Sequence, residues 1–252
     1  MSRLDQLLVS QGLAVSRSQA RQMIESDRVF LEIAGDRVLC NKPAGKFDPK
    51  AQFYIVPDEL DRYASRGGLK LAGALRSSNI RPDGDIILDV GMSTGGFTDC
   101  ILQAGAAKVV GVEVGHDQLA AKLRNRPEIV CLEGINARHL SEADLGEHFP
   151  NGGFDGVVMD VSFISQTLIL PNLVPLMKSG AWILSLVKPQ FEVGREGLGK
   201  GGIVRDTSLF QTVEENIREA AKQAGLNILG WFESPIQGGD GNQEFFLFAK
   251  KS

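Results

Sequence analysis

Two lysines and two carboxylates, far apart along the chain, sit in contexts that deliver ionisable groups to the edge of a sheet: Lys70 in SRGGLKL, Asp160 in FDGVVMDVSF, Lys188 in WILSLVKPQF and Glu244 in GNQEFFLF. Asp160 and Lys188 end two strands that should be neighbours, and each follows a mostly apolar run that pulls its charge toward a partly buried place. A charge there needs a partner. Glu244 opens the last strand and Lys70 lies just ahead of the sheet. Taken singly, each has a plain reading as a capped strand end or a surface charge. Taken together, amines facing acids on one edge suit acid–base chemistry.

A second constellation is ILDVGMSTGGFTDC, Ile87 to Cys100, an apolar run that ends in an acid and opens into a glycine-rich turn. Such a turn between a first strand and a first helix lets the backbone approach a ligand at the carboxyl edge of a parallel sheet. Asp89 stands at the strand end, Gly91, Gly95 and Gly96 lie in the turn, and Glu113 closes the second strand, placed to accept from ribose hydroxyls. NAD and S-adenosylmethionine both present an adenosine ribose there. The spacing Gly91-x-x-x-Gly95-Gly96 departs from the GxGxxG that cradles a pyrophosphate, which favours the methyl donor. Further on, Gly194-x-x-x-x-Gly199-Lys200 nearly spells a phosphate loop, but Gly201 stands where Ser or Thr would hold a metal ion. The segment reads instead as a mobile, glycine-hinged, basic flap in which Arg195, Lys200 and Arg205 meet phosphates.

The elements that must position these residues follow from periodicity. Strand candidates are DIILDVG, KVVGVEV, EIVCLEG, GVVMDVS and AWILSLVKP, whose near-continuous apolar character suits parallel strands covered on both faces. Helical stretches between them include TDCILQAG, HDQLAAKLR and the proline-interrupted SQTLILPNLVPLM. After the amphipathic SLFQTVEENIREAAKQAG, the runs NILGWFESP and NQEFFLFAKK are joined too briefly for a crossover helix, so the last strand enters antiparallel as a hairpin. This predicts an α/β fold with a mostly parallel sheet and an ending usual in class I methyltransferases. Ahead of it, Leu4, Leu7 and Leu8 mark one short helix, Ser16 caps a second, and the turn between them holds Ala14 and Val15. RVFLEI and DRVLCN then join across Ala34-Gly35 in a small sheet. Residues 1–60 thus form a small α+β unit, 61–252 the larger one, and the polar stretch 61–68 a linker.

The 252 residues are 43% hydrophobic and carry a net charge of −4, which argues against nucleic acid only as a whole-chain sum. Residues 1–60 hold eight basic and eight acidic side chains, yet Arg17 and Arg21 fall in an acid-free stretch, and Arg62, Arg66, Lys70, Arg76 and Arg81 form a second cluster. These are candidate phosphate-facing patches, or else solvated helix faces. No apolar run approaches the roughly 18 residues of a membrane span, and MSRLDQLLVS is no signal peptide, so a cytoplasmic location is expected. Cys40, Cys100 and Cys131 lack CxxC spacing, and His116, His139 and His148 lack ligand spacing, so no metal is expected.

RLDQLLVSQGLAVSRSQARQMI resembles an S4-type RNA-binding module, while SRGGLKL, DVGMSTGGFTDC, MDVSFIS, VKPQFEVGREGLGKGG and GNQEFFLF together resemble the TlyA family of S4-plus-FtsJ-like proteins. The resemblance covers nearly the whole chain. It implies an S-adenosylmethionine-dependent 2′-O-methyltransferase of ribosomal RNA, acting at cytidine, with ribosomal RNA or ribosomal subunits as partner. It also implies a catalytic tetrad of Lys70, Asp160, Lys188 and Glu244, and a donor site of Asp89, Gly91, Ser93, Thr94, Gly95, Gly96, Phe97, Glu113, Asn136 and Asp160. Arg17, Arg21, Arg66, Arg195, Lys200 and Arg205 are the expected RNA contacts. Met92 and Glu113 depart from the family's usual small residue and Asp, and the front module lacks the usual basic excess. The family also carries a hemolysin label, which makes membrane activity an alternative function; RNA binding without catalysis is another.

Overall fold

Residues 1–14, 16–58 and 61–252 are described by the computed structural model, and they divide into two units, Met1–Asp61 and Arg62–Ser252. The front unit runs β1 (Ser2–Arg3), α1 (Leu4–Ser10), α2 (Arg17–Glu25), β2 (Val29–Ile33), β3 (Asp36–Leu39), β4 (Lys46–Phe47) and β5 (Phe53–Ile55). Leu4, Leu8, Ala20, Ile24 and Val29 form its fully buried centre. The β2–β3 turn places Ala34 at φ +51° and Gly35 at φ +94°, the left-handed pair that a tight two-residue hairpin demands. Ser16 Oγ accepts from the Gln19 amide at 3.2 Å, the cap expected for α2. Ser16→Ala should therefore lower the stability of this unit by about 1 kcal/mol in urea titration. Of the expected α1–α2 turn, Val15 lies outside the described residues, as do Glu59 and Leu60 of the polar stretch after β5.

Arg17 is less available than its acid-free neighbourhood suggested. Folding brings Asp5, fully buried, to 3.1 Å from its guanidinium, and Arg3 holds the same carboxylate at 2.9 Å. The hydrogen bond from Arg3, with Arg17 behind it, keeps the Asp5 carboxyl well below the ordinary range. Sequence windows hide this because Asp5 stands on the other helix. Arg21 is exposed.

The second unit contains α3 (Gly67–Ser78), β6 (Ile86–Val90), α4 (Gly96–Gln103), β7 (Lys108–Glu113), β8 (Ile129–Glu133), α5 (Glu142–Leu145), β9 (Phe154–Met159), α6 (Leu170–Leu173), β10 (Met177–Val187), α7 (Ser208–Gln223), β11 (Leu226–Glu233) and β12 (Phe245–Lys251). Its seven strands are ordered β11–β12–β10–β9–β6–β7–β8. β6, β7, β8, β9 and β10 are parallel, and β12 runs antiparallel to both β10 and β11. Alternation along the strands feeds two cores. Ile87, Val109, Val158 and Leu184 face Leu71, Ala74 and Ile101 of α3 and α4. Leu88, Val110, Val157 and Ile183 face Leu170, Leu173, Val213 and Ile217 of α6 and α7.

Two expectations need correction. The stretch 61–68 is not all linker: Tyr63 is 6% exposed within the α3–α4 core, and Gly67 and Gly68 begin α3. Gly68 has no room for a Cβ, which would meet the Tyr63 side chain at 2.3 Å. HDQLAAKLR is not helical either, but turns and bends. Asp117 sits at φ +57°, and the Arg124 guanidinium takes the Leu119 and Asp117 carbonyls, capturing acceptors a helix would use. Leu119 and Leu123 are nonetheless buried, which explains the apolar periodicity. Among the described residues, no helix is long and apolar enough to cross a membrane.

Candidate active site

β9 and β10 run parallel, so Asp160 and Lys188, the residues that follow them, emerge at the same edge of the sheet. β12 runs the opposite way, so its beginning reaches that edge too, and Glu244 immediately precedes it. Lys70 arrives from the first turn of α3. That helix packs closely on the turn after β11, where a Cβ on Gly73 would lie 2.6 Å from Pro235.

The four side chains meet as two pairs. Lys70 Nζ donates to Glu244 Oε2 at 2.5 Å, and both residues are under 9% exposed. Lys188 Nζ lies 2.7 Å from Asp160 Oδ1 and donates to Ser162 Oγ at 2.9 Å. The second pair is a charge contact more than an aligned hydrogen bond, since Asp160 Oδ1 has no donor in line. Burial pushes the Glu244 carboxyl up, the Lys70 hydrogen bond and the charges of Lys70 and Lys188 pull it down, and Asp160 pushes it up again; the net direction is upward. Glu244 therefore feels all three partners, and the expected tetrad is one electrostatic cluster.

Two adjoining clefts open onto this edge. The larger, about 500 Å³, has apolar walls from Val112, Ile135 and Ile164 and carries Glu113, Asn136 and Asp160. The smaller, about 100 Å³, is lined by Lys70, Thr94, Gly96, Phe97 and Asp160 among others, and both share Gly91 and Ser93. At Gly91 φ is +85° and a Cβ would meet the Asp160 carbonyl oxygen at 2.5 Å, so only glycine lets the loop and the β9 edge approach. Glu113 is set by backbone amides, Oε2 accepting from Ser93 and Oε1 from Gly115 at 2.9 and 2.8 Å. Each oxygen keeps a lone pair for a further donor. Asn136 spends its side-chain oxygen on the Arg138 amide. Met92 is buried over Gly111 of β7, whose absent Cβ leaves its space.

Two expected donor contacts do not line either cleft. A Cβ on Gly95 would strike Leu123 at 2.4 Å, so this glycine serves packing beneath the loop. Asp89 is wholly buried, accepting from Thr98 Oγ1 at 2.6 Å through Oδ2, while Oδ1 has no partner. Burial drives its carboxyl up to about 7; Thr98 opposes this, and Asp160 and Glu113 add to it. The unfolded chain ionises this acid near 4 and the folded protein near 7, so folding loses stability as pH rises through that window. The loss is on the order of 4 kcal/mol by pH 8. Asp89→Asn should remove that slope, raising the thermal midpoint at pH 8 and leaving it nearly unchanged at pH 4; equal shifts at both values would contradict the assignment.

Of the expected RNA contacts in this unit, Arg66 donates to the Gln237 carbonyl at 3.2 Å, and Arg195, Lys200 and Arg205 are exposed. The glycine-rich segment is not free at its far end: the Asn242 side chain binds the Val204 amide and the Gly202 carbonyl. Three residues escaped sequence reasoning. Ser162 touches Lys188, and its hydroxyl in MDVSFIS was the available signal. Phe163 is 90% exposed at φ +64°, beside the Phe191 ring at 4.9 Å; an apolar residue gives no sign in sequence that it will face solvent. Asn242 lay unmarked within GNQEF.

Comparison with known proteins agrees with this geometry. A model of FtsJ-like methyltransferases matches residues 63–251, and a model of the S4 domain matches residues 2–31. The chain is 41% identical over 249 residues to the 16S/23S rRNA (cytidine-2′-O)-methyltransferase TlyA of Mycobacterium tuberculosis, covering 99% of this chain and 90% of that one. It is 36% identical over 243 residues to Hemolysin A of Brachyspira hyodysenteriae, covering 96% and 97%. A solved structure from Streptococcus thermophilus that carries the hemolysin name superposes with a TM-score of 0.77 at 41% identity, over all of this chain and 88% of the other. The methyl donor of this family is S-adenosylmethionine, and the residues fit it: an apolar slot for the base, the Glu113 carboxylate for the ribose, and the side-chain-free Gly91 and Gly96 beside Asp160. These matches run over nearly the whole chain, which is a member of the FtsJ-like methyltransferase family, in the S4-bearing TlyA branch.

Proposed function

We propose that the protein methylates a ribose 2′-hydroxyl of ribosomal RNA, at cytidine, in the cytoplasm, with ribosomal RNA or a ribosomal subunit as its partner. The observation that carries this reading is the meeting of two amine–carboxylate pairs where both clefts open. S-adenosylmethionine, when bound, supplies an activated methyl group. The chain supplies orientation and proton handling. A sugar hydroxyl is a poor nucleophile, and holding it in line at attack distance contributes several kcal/mol. Lys188, held between Asp160 and Ser162, is placed to stabilise the developing oxyanion as a cation, or to take the hydroxyl proton when neutral. Asp160 and Glu244 orient the two amines, and Lys70 positions the substrate. Phe163 offers an exposed ring face against which a base can stack. Arg195, Lys200 and Arg205 offer charge to the phosphate backbone.

The names of the relatives support this substrate, and the S4 domain match supports an RNA partner. The test is mass-spectrometric mapping of ribose methylation in ribosomal RNA from cells with and without the protein, paired with transfer of labelled methyl to purified subunits. A missing 2′-O-methylcytidine in the deleted strain, restored by the purified protein, is the expected result. Unchanged ribose methylation would overturn the reading. Phe163→Ala should raise KM for RNA and lower kcat together, by about tenfold in kcat/KM, equivalent to one lost base stack.

A further inference from the structure

Asn242 is 2% exposed, and its polar atoms are all engaged. Its backbone amide donates to Asp240 Oδ1 at 3.1 Å and its carbonyl accepts from the Gly238 amide at 2.9 Å. Its side-chain oxygen accepts from the Val204 amide at 2.9 Å, and its side-chain nitrogen donates to the Gly202 carbonyl at 3.0 Å and to Asp240 Oδ2 at 2.8 Å. Asp240 Oδ2 also accepts from Gln190 Nε2 at 3.4 Å, two residues past Lys188. Asp240 lies within electrostatic reach of Lys70. Two residues beyond Asn242 comes Glu244, whose carbonyl accepts from the Ser234 amide at 2.8 Å and whose carboxylate holds Lys70.

One buried amide thus joins the end of the basic segment 195–205 to the turn that carries Glu244. A buried amide of this kind has no solvent to fall back on, so losing either side costs the full desolvation of the partner left behind. The two pieces of chain are far apart in sequence, and a movement of one is a movement of the other. The basic segment presents Arg195, Lys200 and Arg205 outward, where a polyanion can meet them.

We infer that Asn242 is a positioning residue that makes the basic segment and the Glu244 turn a single unit, so that seating the substrate strand's phosphates on the segment fixes the Lys70–Glu244 pair for catalysis. This rests on the RNA-methylating function proposed above. It gives the basic side chains a part in turnover and not in affinity alone.

The test uses hydrogen exchange, read on peptides covering 198–206 and 233–245, and steady-state kinetics on ribosomal RNA, both with the full chain. In the unmutated protein, RNA should slow exchange in both peptides. In Asn242→Ala, exchange around Gly202–Val204 should rise about tenfold, RNA should slow the 198–206 peptide alone, and kcat should fall by up to about 10²-fold. Donor affinity should stay within about twofold, because Asn242 lines neither cleft. Lys200→Ala with Arg205→Ala should lower kcat in the unmutated background and raise only KM in the Asn242→Ala background. Asn242→Asp, which keeps an acceptor for the Val204 amide and loses the donor to the Gly202 carbonyl, should show the same changes in smaller degree and serves if Asn242→Ala does not fold. RNA slowing both peptides in Asn242→Ala, or the charge pair lowering kcat equally in both backgrounds, would overturn the coupling. RNA slowing neither peptide in the unmutated protein would instead overturn the proposed substrate, and the coupling with it.

Discussion

Lys188→Ala should lower methyl transfer to ribosomal RNA by roughly 10³-fold or more while leaving S-adenosylmethionine affinity within about twofold. The asymmetry follows from position. Lys188 lines neither cleft, but its amine touches Asp160 and Ser162 at their mouth. Single-turnover rates and calorimetric donor titration on the same preparation separate the two quantities. Lys188→Arg divides its roles. Arginine keeps the charge yet cannot surrender its proton at working pH, so partial activity in the Arg variant marks oxyanion stabilisation, and none marks proton removal. Turnover preserved in the Ala variant would take Lys188 out of the chemistry altogether.

Gly91→Ala should be strongly damaging to the second unit. The new Cβ would sit 2.5 Å from the Asp160 carbonyl oxygen with the backbone held at φ +85°, and both neighbours are tied into the sheet. The Gly91 amide donates to the Val112 carbonyl and the Asp160 amide to the Val90 carbonyl, each at 2.9 Å. Backbone meeting backbone cannot yield cheaply, so left-handed strain and the steric contact together should cost about 2–4 kcal/mol. Donor binding should be lost even below the unfolding midpoint. Gly201→Ala is the control: its φ of +82° is similar, but nothing lies within 4 Å, so it should show only the strain, about 1 kcal/mol. Equal losses in the two variants would mean that the contact with Asp160 is not what constrains the loop.

The sheet was legible because its central strands are short apolar runs ending in polar residues, and the hairpin because the connection from Glu233 to Phe245 is too brief for a crossover helix with its two loops. The nearness of Asp160, Lys188 and Glu244 was legible for the same reason, since strand ends share an edge once directions are known, whereas Lys70 comes from α3. What could not be read was how surfaces close in space. HDQLAAKLR carries a helical period because Leu119 and Leu123 must both reach the floor beneath Gly95, yet Arg124 claims the carbonyls a helix requires. Asp5 and Arg17 stand on different helices, so no window of sequence shows their meeting. Tyr63 sat among charged residues and read as solvent-facing, while the notch left by Gly68 receives it. Asn242 and Asp89 draw their significance from partners that only the fold supplies.

β11 has no neighbour in the sheet except β12, although it precedes β12 in the chain. It joins the sheet only through the insertion of β12 between it and β10. That same insertion carries Glu244 to Lys70. A chain in which β12 had not paired would keep the parallel strands that line the donor cleft and lack the Lys70–Glu244 pair.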